Sequence, residues 1–295
     1  MKNLKELIKE KRPTLSDSSI NTYDSILRNL YKRVFPDDEE ITVKKFDDAD
    51  KFLNHLKEMP STKRKTVLSA LFVISENKKY RELMMNDISV YQTEIQKQEK
   101  TESQKENWAD PDEIKRIWLE LRDDSVLLYK KKAKTAKDLQ EIQRFVLLSV
   151  LGGVFIAPRR SLDFCNFKIR DIDSEQDNYM LNKKSFVFNS YKTAKTYGKQ
   201  AVAIPLPLQK IVTKWMTVNP SDYLLTDTKG QPLTNVKLNQ RINQIFDGKK
   251  ISVNALRHTY LTEKYGDTIK QNEALAKDMT AMGSSKNVAV NYIKK

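Results

Sequence analysis

Four short stretches in the second half of this 295-residue chain concentrate side chains able to handle a phosphate. They are APRRSLDFCNFKIRDID at 157–173, NSYKTAKTYGKQAVAIPLP at 189–207, NALRHTYLT at 254–262 and MGSSKNVAVNYI at 282–293. Planar guanidinium groups grip oxyanions with two parallel hydrogen bonds, so Arg159, Arg160 and Arg257 are candidates for holding a phosphodiester as its non-bridging oxygens gain charge. Arg159 and Arg160 directly follow a long apolar stretch, where unpaired charge is costly, and this separates them from two incidental surface arginines. The whole chain points the same way: 53 Lys+Arg against 39 Asp+Glu leave a formal charge of +14. Such an excess suits a polyanionic partner, nucleic acid first.

Other chemistries find little support. Cys165 is the one cysteine, and the histidines are His55 and His258, which excludes a disulfide framework and a thiolate zinc site. There is no P-loop GxxxxGK[ST] and no recognisable acidic metal cluster, so neither a metal nor another cofactor is expected. No apolar run reaches the ~18 residues of a membrane span, and Met1 precedes a polar Lys/Glu-rich segment. The expectation is a soluble, intracellular protein that is not secreted and lies wherever its DNA lies, host nucleus or cytoplasm, with no membrane partner.

Taken together the four stretches resemble the tyrosine recombinase (integrase) family, in style closest to members from mobile elements and large DNA viruses. The resemblance covers residues 108–295 with motifs and 1–95 in general character. The family carries an arginine, an acid three residues on, an apolar residue at plus seven and an aspartate at plus eleven; Arg160, Asp163, Phe167 and Asp171 match. Arg159 shifts that pattern by one and fits less well, but adjacent arginines in one turn keep it as the alternative. YKT at 191–193 looks like the motif that places a lysine on a hairpin, giving Lys192; Lys195 in the same turn is expected to contact DNA, although a turn holding Lys195 and Lys199 could be lysine-rich for solubility alone. LRHTY at 256–260 is the most specific match, with Arg257 as the second catalytic arginine and His258 beside it. Tyr292, nine residues after Gly283, corresponds to the nucleophile.

Two positions depart from the family. Asn254 stands where members usually carry His or Lys, and Ser284 where they carry His or Trp. Both can hydrogen-bond a phosphate oxygen, but neither acts as a cation or base near neutral pH.

The resemblance implies site-specific cleavage and rejoining of double-stranded DNA. Tyr292 would form a 3′-phosphotyrosine, Arg160 and Arg257 would stabilise the transition state, Lys192 would protonate the departing 5′-oxygen, and Asp163 would orient an arginine. No metal or ATP is needed, because the bond energy stays in the adduct. The implied assembly is a homo-tetramer on paired DNA sites. Two alternatives remain: a catalytically weakened, architectural DNA-binding protein of the same fold, motivated by Asn254 and Ser284, and a type IB topoisomerase-like relaxation activity.

Positioning these residues calls for two domains. The expected fold class is mainly α with a small antiparallel β-sheet: a two-domain clamp of a helical core-binding domain at 1–95, a linker at 96–107 and an α+β catalytic domain at 108–295. In the first, Ser16 or Asp17 caps a helix through Val34, and Asp47 or Asp48 opens another that stops before Pro60. Ser61 caps a third, whose first turn holds Lys63, Arg64 and Lys65. Basic groups there fit either a DNA-facing end or a solvated turn. A fourth helix covers 81–95, and QKQEKTESQKEN after it has no apolar residue. Asp110-Pro111 restarts a helix, Leu139–Leu151 is an apolar central helix, and strands are expected at 179–181, 185–190 and 201–204 around the basic turn 192–199. Helices follow at 209–216, 236–246 and 253–265. The lysine stretch Lys130–Lys137 fits an electropositive lining or, more simply, a solvated loop. Cys165 reads as a small buried hydrophobe.

Overall fold

The computed structural model describes residues 3–291 and 293. The chain forms two compact units, Met1–Lys100 and Thr101–Lys295, and is mainly α-helical with one three-stranded antiparallel sheet.

The first unit is all helical: α1 (Leu4–Lys11), α2 (Asp17–Val34), a 3₁₀ turn (Val43–Asp47), α3 (Ala49–His55), α4 (Ser61–Ser75) and α5 (Lys78–Gln96). Sequence reading missed α1, which is too short for clear periodicity. A capping box formed by Asn3 and Glu6 starts it, and Leu4 and Ile8 anchor it in the core. Tyr31, Phe35, Phe46 and Phe52 meet ring to ring at the centre, and the buried Tyr80 hydroxyl donates to the Phe46 carbonyl at 2.9 Å. Arg64 in α4 makes a two-pronged pair with Asp87 in α5, at 2.9 and 2.7 Å, and Asp87 is only 1% exposed. Arg64 thus joins two helices. Lys65 lies over the Tyr91 ring, while Lys63 is exposed.

The second unit begins inside the stretch expected as a linker. Residues 96–107 are largely exposed but not featureless: Thr101 and Gln104 cap a short α6 (Glu102–Glu106). Then come α7 (Pro111–Lys130), α8 (Ala136–Leu151), α9 (Ser161–Cys165), β1 (Tyr179–Leu181), β2 (Ser185–Phe188), α10 (Ala194–Tyr197), β3 (Gln200–Ala203), α11 (Leu206–Met216), α12 (Asn235–Ile245), α13 (Val253–Ala281) and a final 3₁₀ turn (Lys286–Asn291). Every residue of α8 from Phe145 to Leu151 is buried, so this helix is the axis of the core. The sheet runs β1-β2-β3, with Met180 opposite Phe186 and Phe188 opposite Gln200. Phe186 and Phe188 turn inward onto Phe164 and Phe167, a four-ring cluster that fastens the sheet to α9. Cys165 is buried there, and burial, helped by the charge of Asp163, pushes its thiol up to about 11.

Glycine ends α8 for a steric reason. Gly153 has φ +79°, and a Cβ there would come within 3.0 Å of the Tyr260 ring, so a side chain would both strain the turn and push α13 away. Helix α13 itself extends far beyond the expected 253–265. The added residues contain no proline, and the stretch KQNEALAK at 270–277 is made mostly of good helix formers, which hold helix without packing. Its end is a Schellman cap: Ser284 N–H donates to Met279 O at 2.8 Å and Gly283 N–H to Thr280 O at 3.0 Å, with Gly283 at φ +72°.

Candidate active site

Helix α8 delivers the chain through Gly152, Gly153 and the buried Pro158 to the two arginines, which enter α9 one after the other. They do different things. Arg159 is tied down: its Nε donates to Asp163 Oδ2 at 2.9 Å, its Nη1 donates to Gln200 Oε1 at 2.8 Å, and its guanidinium carbon lies 3.9 Å from the Phe188 ring centroid and 4.9 Å from that of Tyr191. Arg160 is half-buried at the N-cap of α9; its carbonyl accepts from the Asp163 N–H at 3.0 Å, and its side chain makes no hydrogen bond or ion pair among the described residues.

Arg257 comes from a different element, the second turn of α13. Ser252 caps that helix through Ala255 N–H, and Thr259, one turn on, donates from its hydroxyl to the Ala109 carbonyl at 2.9 Å, fixing the turn against the core. Partial burial holds the Arg257 guanidinium below the usual arginine range, and the positive charge of Arg160 adds to this. Asp163 opposes the shift, and Arg159 contributes a smaller repulsion. Arg160 and Arg257 are thus brought into each other's field, with the Asp163 carboxylate also acting on Arg257. Arg257 remains a cation, since no ordinary shift brings a guanidinium near neutrality. Asp163 stands beneath the group: one carboxylate oxygen accepts from Arg159, and the other is buried without a hydrogen-bond partner.

Asn254 sits on the same face one turn earlier, accepting from Arg257 Nη1 at 3.3 Å, and its amide nitrogen is 3.3 Å from His258 Nε2. Both Asn254 and His258 are exposed. Lys192 is exposed in the β2–β3 connection, just before the four-residue α10 that holds Lys195. Two residues that the sequence did not single out shape this connection, Asn178 and Gln200. Neither belongs to a motif, and a polar residue flanking a strand gives no signal of its own.

No family model matches the chain, and no curated protein does. Solved structures do. The chain resembles recombinases and integrases. One is a lambda integrase dimer bound to a COC′ core site, at 16% identity and a TM-score of 0.48, with 88% of this chain and 69% of that chain covered. A second is XerA recombinase, at 16% identity and a TM-score of 0.37, with 88% and 82% covered. A third is XerH site-specific recombinase bound to palindromic difH substrate in a post-cleavage complex, at 14% identity and a TM-score of 0.41, with 89% and 83% covered. At such identities and scores, the reading of the site rests on its own residues and geometry.

Not all expected site residues come together. Tyr292 lies outside the described residues. Ser284 belongs to the C-terminal cap of α13, and from Arg257 to the end of that helix the axis rises about 36 Å at ~1.5 Å per residue. Within one chain, Arg160, Arg257, Asn254, His258 and Asp163 share a site that Ser284 does not join. The lysine stretch is partly committed elsewhere, since Lys131 Nζ donates to Asp138 at 2.6 Å and Lys134 Nζ to the Lys131 carbonyl. Among the described residues, no helix is long and apolar enough to cross a membrane.

Proposed function

We propose that this chain cleaves and rejoins double-stranded DNA as a tyrosine recombinase, through a covalent 3′-phosphotyrosine. The observation that carries the reading is the pair Arg160 and Arg257, delivered by separate elements into one another's field beside the single carboxylate of Asp163, which already accepts from Arg159. Two such cations are costly alone and stabilising once a phosphodiester enters, most of all when its oxygens carry extra charge in the transition state. Lys192, on the connection leading into β3, supplies the proton for the departing 5′-oxygen, and Tyr292 supplies the nucleophile. Asn254 and His258 add neutral hydrogen bonds beside Arg257. Arg159 is committed to Asp163 and Gln200, which supports Arg160 as the phosphate ligand of the two.

The separation of Ser284 from the arginines supports a second element of the proposal. The tyrosine segment of one copy acts at the arginines of another, so the working form is an oligomer, in keeping with a homo-tetramer on paired DNA sites. The same separation also favours, as the competing reading, an architectural DNA-binding protein that keeps the arginines for phosphate contact alone.

The test is Arg257→Ala. Loss of one preorganised donor lowers cleavage by about 10²–10³-fold. DNA affinity falls little, because many phosphate contacts share it. Equal loss of cleavage and affinity contradicts the catalytic role.

A further inference from the structure

We infer that Arg159 and Asn178 form a brace about Asp163 that holds the Lys192 connection in register with Arg160, so that both act as positioning residues for the leaving-group proton. This rests on the recombinase reading above. It concerns two residues that would touch neither the DNA nor the tyrosine.

The two arms of the brace meet at Asp163, which is 2% exposed and lies on α9, three residues after Arg160. One arm uses the side chain. Asp163 Oδ2 accepts from Arg159, whose far side donates to Gln200, the first residue of β3, and whose flat face covers Phe188, the last residue of β2. A single guanidinium thus spans both feet of the hairpin whose connection carries Lys192. It also touches the ring of Tyr191, the residue before that lysine. The Tyr191 hydroxyl donates to the Gly198 carbonyl at 2.6 Å, closing the connection across its width.

The other arm uses the main chain. Asn178 is 7% exposed, and its amide is fully engaged. Its Nδ2 donates to the Asp163 carbonyl at 2.9 Å and the Ser190 carbonyl at 2.7 Å, and its Oδ1 accepts from the N–H groups of Asn189 and Ser190 at 2.9 Å each. Residues 189 and 190 are the first two of the connection. Asp163 is therefore linked to its start through Asn178, and to its middle and end through Arg159.

Lys192 itself has no partner among the described residues and is exposed. A long lysine side chain free in water spreads over many rotamers, and only the placement of its backbone limits where the ammonium can go. Positioning must then come from the connection, and its two anchors both lead to the element that bears Arg160.

The experiment exploits the leaving group. A 5′-sulfur in place of the scissile 5′-oxygen departs without a proton, so a substrate carrying it bypasses any defect in proton delivery. Nicked duplexes from the sequence flanking the coding region map the scissile phosphate by adduct formation, and the same duplex is then made with sulfur at that position. Arg159→Ala would strand the buried Asp163 carboxylate, so Gln200→Leu and Asn178→Ala are the variants. With the oxygen leaving group, Lys192→Ala slows single-turnover cleavage by about 10²–10⁴-fold. Gln200→Leu and Asn178→Ala slow it by about 10–100-fold, as expected for displacement of about an ångström. With sulfur, all three return to within about threefold of the parent, by the same argument that no proton is then required, while Arg160→Ala does not. Equal slowing of Gln200→Leu and Asn178→Ala with both leaving groups, or no slowing with either, overturns the brace.

A second measurement separates the brace from the recombinase reading. In the DNA-free protein, hydrogen exchange across residues 189–199 rises in both variants while exchange in α8 stays at the parent level. If the parent forms no adduct on any duplex, the recombinase reading fails and the exchange result alone decides whether the brace exists; unchanged exchange in 189–199 overturns it.

Discussion

Arg160 sets a second positive charge beside the partly buried Arg257, opposed by the carboxylate of Asp163, and the DNA-free protein bears the cost of that repulsion. Arg160→Ala removes the repulsion acting on Arg257 and should raise the stability of the DNA-free protein by a few tenths to about 1 kcal/mol, the range for half-exposed charges. Cleavage falls at the same time. Thermal unfolding with and without DNA checks this; a destabilised variant would mean that Arg160 holds the fold instead of waiting for phosphate. A second residue-scale test concerns Asp138, whose carboxylate accepts from Lys131 at 2.6 Å and from the Thr135 N–H and hydroxyl, and is held at about 2. Because the folded value lies below the ordinary ~3.9, the stabilisation is complete above about pH 4 and disappears as pH falls toward 2. Asp138→Asn should be less stable than the parent at neutral pH, with the gap closing between pH 4 and 2 in denaturant titrations.

At the scale of elements, the sequence told most where burial writes a period into it. The apolar run of α8, the Ser16 cap of α2, the Asp110-Pro111 start of α7 and the three strands are visible because packing fixes which residues can stand there. Helix α13 was legible only where it touches the core, at Val253, Leu256 and Thr259; beyond these, the next buried residue is Met279, and a helix held by propensity and solvent leaves no stripe to read. Gly283 shows the same limit. Its sequence spacing to Tyr292 suggested a site position, whereas its left-handed φ makes it the end of a helix. The arginines were legible as residue types, but only the three-dimensional contacts distinguish the tied Arg159 from the unpartnered Arg160. Asn178 and Gln200 were invisible, since their importance lies in what they join across the chain and not in any local pattern.

At the scale of the whole molecule, the long α13 sets Ser284 apart from Arg257. If one copy supplies the tyrosine to the arginines of another, a mixture of Tyr292→Phe and Arg257→Ala chains regains cleavage that neither has alone. Without exchange between copies, the mixture stays inactive. Binding should also weaken steeply with salt, as for any partner of a chain with a formal charge of +14. The central claim is that Tyr292 becomes joined to DNA. It is tested most directly by running the protein with nicked duplexes on a denaturing gel, with Tyr292→Phe as the control. The account predicts a band of covalent protein–DNA adduct that persists through denaturation and is lost in Tyr292→Phe. An adduct that survives in Tyr292→Phe, or DNA that binds tightly across all duplexes without forming any adduct, would contradict it.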